Sequence, residues 1–161
     1  WWAGLIIAHT VNYCINGQAI CVFYHIRAGN STARQFYDGT VAMKKRLEGC
    51  KHIAAAISYG SLSTGKWHPS SDIDIRFIPQ KGEWNYWMAI LWAVGERTRA
   101  FFKGYPLDMY VFTMQHSYNV MKKTEVPIIF KDMANGHKLF YTKAMSFDEF
   151  CQMFKKMHLK G

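Results

Sequence analysis

Two of the few acids in this chain stand two apart, in Ser71-Asp72-Ile73-Asp74-Ile75. On a β-strand, residues i and i+2 share a face, so both carboxylates point one way while Ile73 and Ile75 enter a core. Two carboxylates a few ångströms apart repel, and one is expected to hold its proton unless a cation lies between them. Hard divalent cations take carboxylate oxygens, so the pair reads as a metal site rather than as an exposed acidic sheet edge. Upstream, Tyr59-Gly60-Ser61 closes an apolar run. Glycine lets a backbone approach a ligand and serine adds a hydroxyl and an N–H, so both are candidate phosphate donors if a short helix follows. A third acid, Asp108, alternates with apolar residues in Pro106-Leu107-Asp108-Met109-Tyr110-Val111. If its strand lies beside that of Asp72 and Asp74, three carboxylates converge. That is enough to hold two Mg²⁺ ions for an in-line phosphoryl displacement.

The elements that must position these residues read as follows. Asn30, Ser31 and Thr32 supply caps for a helix running towards Glu48, with Phe36, Thr40, Met43 and Leu47 on one face and Gly49 as its stop. His52–Tyr59 and Asp72–Ile78 read as strands, the second closed by Pro79. Trp84–Lys103 is a helix of crossover length, with Trp84, Trp87, Met88, Leu91, Thr98 and Phe102 at helical spacing and Gly104 as its stop. The cluster Trp84, Trp87 and Trp92 is accordingly read as core. Leu107–Phe112 is a third strand. Met114–Phe130 is read as helix, break at Pro127, helix. Gly136–Tyr141 is read as a short final strand and Phe147–Met157 as a small amphipathic helix. Arg76, on the face of Asp74, is expected to pair with a carboxylate. Lys66, Trp67 and His68 are read as a loop beside any bound triphosphate. His116 and Lys122–Lys123 are read as solvated.

The spacing Gly60-Ser61, three residues, Gly65, five residues, Ser71-Asp72-Ile73-Asp74, with Asp108 following, resembles the nucleotidyltransferase superfamily of the DNA polymerase β type, especially its minimal members. The resemblance runs from about residue 36 to 145 and includes an ending like Pro127–Phe130 to Gly136–Tyr141. Many minimal members carry Arg where this chain has Leu62, Ser63 and Thr64, and Lys66 is the candidate replacement charge. The resemblance implies an α+β fold, a mixed sheet with flanking helices. It implies that Gly60, Ser61, Lys66 and Ser71 bind a nucleoside triphosphate, such as ATP. Asp72, Asp74 and Asp108 would hold two Mg²⁺ or Mn²⁺ ions, and Asp108 would serve the acceptor hydroxyl. A nucleoside monophosphate would pass to that acceptor and pyrophosphate would leave.

Charge and composition bound the rest. Twenty basic residues against eleven acidic give +9, which points to an anionic partner. Half the residues are hydrophobic, so a packed core rather than disorder is expected. Cys14, Cys21, Cys50 and Cys151 show no zinc spacing and read as reduced thiols, consistent with a cytoplasmic setting. No zinc, helix-turn-helix or ribonucleoprotein signature supports specific nucleic-acid binding. Residues 1–30 form an apolar leading segment ahead of the transferase domain, 31–161. No charge occurs before Arg27. His9, Asn12 and Asn16 fit one helical face in a membrane, whereas Asn16-Gly17 fits a hairpin turn, and both readings stay open. A membrane association through residues 1–26 would set Arg27, Arg34, Lys44, Lys45 and Arg46 at a cytoplasmic face. The chain opens without Met and is read as a piece of a longer protein. Beside the transferase stands a second reading, a non-catalytic nucleotide-binding or interaction module of antitoxin type. Three retained acids argue against it.

Overall fold

The computed structural model describes residues 2–7, 31–69, 71–122 and 125–159. The hairpin and membrane-helix expectations for residues 8–26, with Cys14 and Cys21, lie outside them. Residues 2–7 are helical, with Trp2, Leu5, Ile6 and Ile7 exposed. No helix among the described residues is long and apolar enough to cross a membrane.

Helix α1 (Ala33–Glu48) starts at Thr32, whose hydroxyl accepts from Gln35 N–H while the Gln35 side chain returns to the Thr32 N–H, a capping box. Its expected face, Phe36, Thr40, Met43 and Leu47, is fully buried. Gly49 caps it with a right-handed φ of −75°, so the stop does not use glycine's left-handed freedom. Strand β1 (Ile53–Ser58) is almost wholly buried, and β2 (Ile73–Pro79) alternates buried Ile73, Ile75 and Phe77 with half-buried Asp74, Arg76 and Ile78. Helix α2 (Glu83–Lys103) then crosses over to β3 (Leu107–Val111), and α3 (Met114–Val120), β4 (Ile128–Asp132), the two-residue β5 (Met145–Ser146) and α4 (Phe147–His158) follow. The five strands form one mixed sheet in the order β3-β2-β1-β4-β5. Pairs β1–β2 and β1–β4 are antiparallel, and β2–β3 and β4–β5 are parallel. The chain is thus α+β, with helices flanking a mixed sheet. One hydrophobic cluster runs through it, from Phe36 and Leu47 on α1 through Ile73, Ile75 and Phe77 to Phe150 and Phe154 on α4.

Three expectations are corrected. First, α2 turns the opposite way from its hydrophobic stripe. Ala89, Ala93, Glu96, Arg97 and Ala100 are buried, whereas Trp84, Trp87, Leu91 and Phe102 are 70%, 60%, 62% and 81% exposed. Small alanines let the helix backbone lie close on the sheet. Glu96 is buried because Arg46 grips it twice, Nε to Oε1 at 2.8 Å and Nη2 to Oε2 at 2.5 Å, with Arg99 Nη1 at 2.6 Å. Of the tryptophan cluster only Trp92 packs inward, edge-on to Phe77 with centroids 5.2 Å apart. Second, Ile128–Asp132 is a strand, not the second half of a broken helix. The apolar run Ile128-Ile129-Phe130 after Pro127 fits the pleat beside β1. Third, Gly136–Leu139 is a 3₁₀ turn rather than a strand. The Asp132 carboxylate accepts from the N–H groups of Ala134, Gly136 and His137, and also meets His137 Nδ1 at 2.6 Å, so the chain curls around it.

Candidate active site

Parallel pairing of β2 with β3 sets Asp74 opposite Asp108 in register, with Ile73 opposite Leu107 and Ile75 opposite Met109. The aliphatic partners are buried in the core, so by alternation both acids lie on the other face of the sheet. Asp72, just before β2, joins them. One carboxylate oxygen from each of Asp72, Asp74 and Asp108 lies within 4.8 Å of the other two. A set of oxygen donors so spaced fits a hard divalent cation.

The electrostatics of the group are unfavourable by themselves. Burial, then Asp72 and Asp108, push the Asp74 carboxyl up to about 6, and Arg76 pulls the other way. Burial likewise raises Asp108, with Arg97 opposing and Asp72 adding to the rise. Two cations partly compensate. Arg76 Nη1 lies 3.4 Å from Asp74 Oδ1, the pairing expected from the shared strand face. Its guanidinium also sits over the rings of Tyr59, at 4.3 Å, and Tyr110, at 5.1 Å. Its Nε is buried without a hydrogen-bond partner among the described residues. Arg97, buried on α2, lies 3.6 Å from Asp108 Oδ1 and donates to the Met109 carbonyl at 2.8 Å. Sequence reasoning passed over Arg97, Tyr59 and Tyr110. The signal for Arg97 was a charge on the Ala-rich side of a crossover helix, one crossover away from Asp108.

The segment between β1 and β2 is tied down rather than loose. Gly60 has φ +103° with open space where a Cβ would stand, as close backbone approach to a ligand requires. Ser61 opens a 3₁₀ turn, Ser61–Thr64, instead of a longer helix. The expected role of the Ser61 hydroxyl falls outside the described side chains. Within the turn, the N–H of Ser63 is spent on Gly60 O and that of Gly65 on Leu62 O. Leu62 and Ser63, at the positions where the resembled family often has Arg, are buried. Gly65 has φ +72°, and a Cβ there would stand 2.7 Å from Met157 Sδ of α4. Trp67 is half-buried against Phe36, Phe154 and His158, so it anchors the segment instead of forming its tip. Lys66 and His68 are exposed. Ser71 is buried and its hydroxyl accepts from His68 N–H at 2.9 Å, a latch that sets the entry into Asp72 and β2.

Of the expected site residues, the fold gathers Asp72, Asp74 and Asp108 with Arg76 beside them. Gly60 lies at the end of the adjoining strand β1. Set against known proteins, the sequence matches no protein-family model and no curated protein.

Proposed function

We propose that this domain is a nucleotidyltransferase of the polymerase β-like fold, transferring a nucleoside monophosphate from a triphosphate to a hydroxyl acceptor. The observation that carries the reading is the convergence, within 4.8 Å, of carboxylates from the adjacent parallel strands β2 and β3 and from Asp72 just before β2. Asp72, Asp74 and Asp108 would hold Mg²⁺ or Mn²⁺ ions through their carboxylate oxygens. Bound there, the ions offset the negative charge that builds on the transferring phosphate. Asp108 stands to take the acceptor's proton. The acceptor oxygen bonds to the α-phosphorus as the bond to the β-phosphate oxygen breaks, and pyrophosphate leaves. Arg76, with a buried Nε that has no hydrogen-bond partner among the described residues, is suited to a phosphate oxygen. Gly60 leaves room for the triphosphate beside β1.

The test offers nucleoside triphosphates labelled at the α-phosphate, with Mg²⁺ or Mn²⁺ and pools of hydroxyl-bearing acceptors. Label transfer with pyrophosphate release is expected from the native chain and is lost in Asp74→Asn and in Asp108→Asn. Release that persists unchanged in Asp74→Asn refutes the assignment. A chain that binds the triphosphate tightly but never releases pyrophosphate supports the non-catalytic module instead.

A further inference from the structure

We infer that helix α2 is a dimerisation seam, paired antiparallel with α2 of a second copy of this chain. The outward residues Trp84, Trp87, Leu91, Val94 and Thr98 are spaced three and four apart in alternation. That is the a/d repeat of a helix that packs on another helix, a narrower stripe than the broad apolar face of a helix lying in a membrane. Phe102 extends it, so the stripe runs 18 residues, about 27 Å at the helical rise. Its exposed side chains leave about 600 Å² of surface, taking aromatic side chains at roughly 150–250 Å² each. That is the upper end of the largest apolar patch on an ordinary monomer, roughly 300–600 Å², and most of the about 800 Å² per partner that a stable interface buries.

The helix is complementary to itself when reversed. A two-fold near Ala93 puts Trp84 over the partner's Phe102 and Leu91 over the partner's Gly95. Nothing lies within 4 Å of where a Gly95 Cβ would be, so the glycine leaves a hollow for that leucine. The acid Glu83 stands at the first residue of α2, and the bases Arg99 and Lys103 lie in its final turns. Antiparallel pairing opposes the helix dipoles, the positive end of each beside the negative end of the other. Because the contact is isologous, each feature counts twice.

The test is sedimentation equilibrium of the full 161-residue chain at micromolar concentration. The expected mass is twice 18.7 kDa. Leu91→Glu sets two like charges near the two-fold and is expected to weaken the dimer at least about 100-fold. Because Leu91 is exposed, this variant keeps its circular dichroism spectrum. A native chain that stays monomeric overturns the inference. So does a dimer untouched by Leu91→Glu, which would place the contact elsewhere, residues 1–26 included. A monomer that floats with phosphatidylserine vesicles unless Leu91 is replaced also overturns it, since the stripe would then serve a membrane.

Discussion

Asp74 carries a charge that the fold does not welcome. Its folded pKa of about 6 stands above the ordinary 3.8, so its contribution to stability is fully present below 3.8 and is lost as pH rises through about 6. At neutral pH and above, without metal, the ionised side chain is therefore a net cost. Discounted for the third of the carboxyl that water reaches, that cost is about 1–2 kcal/mol. Asp74→Asn removes the charge and keeps an acceptor for Arg76. We predict a melting temperature higher by about 3–6 °C well above pH 6, shrinking towards nothing as pH approaches 3.8. Calorimetry across that range checks both the sign and the window. That Asp72 and Asp74 share a face was legible in the sequence because strand alternation is local, whereas Asp108 joins them only through the pairing of β2 with β3. For Arg97 the sequence showed only its place on the Ala-rich side of α2; its pairing with Asp108 depends on where α2 lies against β3, which no local pattern states. It is buried beside Asp108, so Arg97→Met should cost about 3 kcal/mol in urea unfolding by stranding that carboxylate. Adding Asp108→Asn should recover part of the loss, and a strictly additive pair would dismiss the coupling.

Among the elements, the segment between β1 and β2 shows how the site is held. Gly65 is left-handed and pressed on Met157, and its carbonyl meets the His158 ring at 2.9 Å. Gly65→Ala should therefore destabilise the chain by about 1–3 kcal/mol, part of it backbone strain and part contact with α4. Truncating the neighbour in the double variant Gly65→Ala, Met157→Ala should remove only the contact part, and denaturant midpoints separate the two. The helices α1 and α4 were readable from capping residues and spacing because both bury their apolar face. Helix α2 defeated the same reasoning. The rule that the apolar stripe faces inward fails where a close-packing alanine face and a buried Glu96–Arg46 pair take the inner side. The pair joins residues 50 apart in sequence, beyond any helical window. Gly136–Leu139 failed for a related reason, since Asp132 gathers its N–H groups into a turn that hydrophobicity does not announce.

At the scale of the whole molecule, the fold offers two surfaces of different character. One is the face of the sheet where the acids gather, and the other is the apolar seam of α2. If the proposed ions bind at the first, protons compete with them for Asp74, so apparent Mn²⁺ affinity should fall as pH drops below about 6, by up to about tenfold per unit for each proton displaced. Mn²⁺ should accordingly raise the melting temperature above that pH and lose its effect below it, and thermal scans at paired pH values check this. The most direct test of the central claim is a Mn²⁺ titration followed by electron paramagnetic resonance, run well above pH 6 with a non-hydrolysable triphosphate analogue. The native chain is predicted to hold two ions, both lost in Asp74→Asn. A native chain that binds no Mn²⁺, or an Asp74→Asn variant that binds it equally well, would contradict the account.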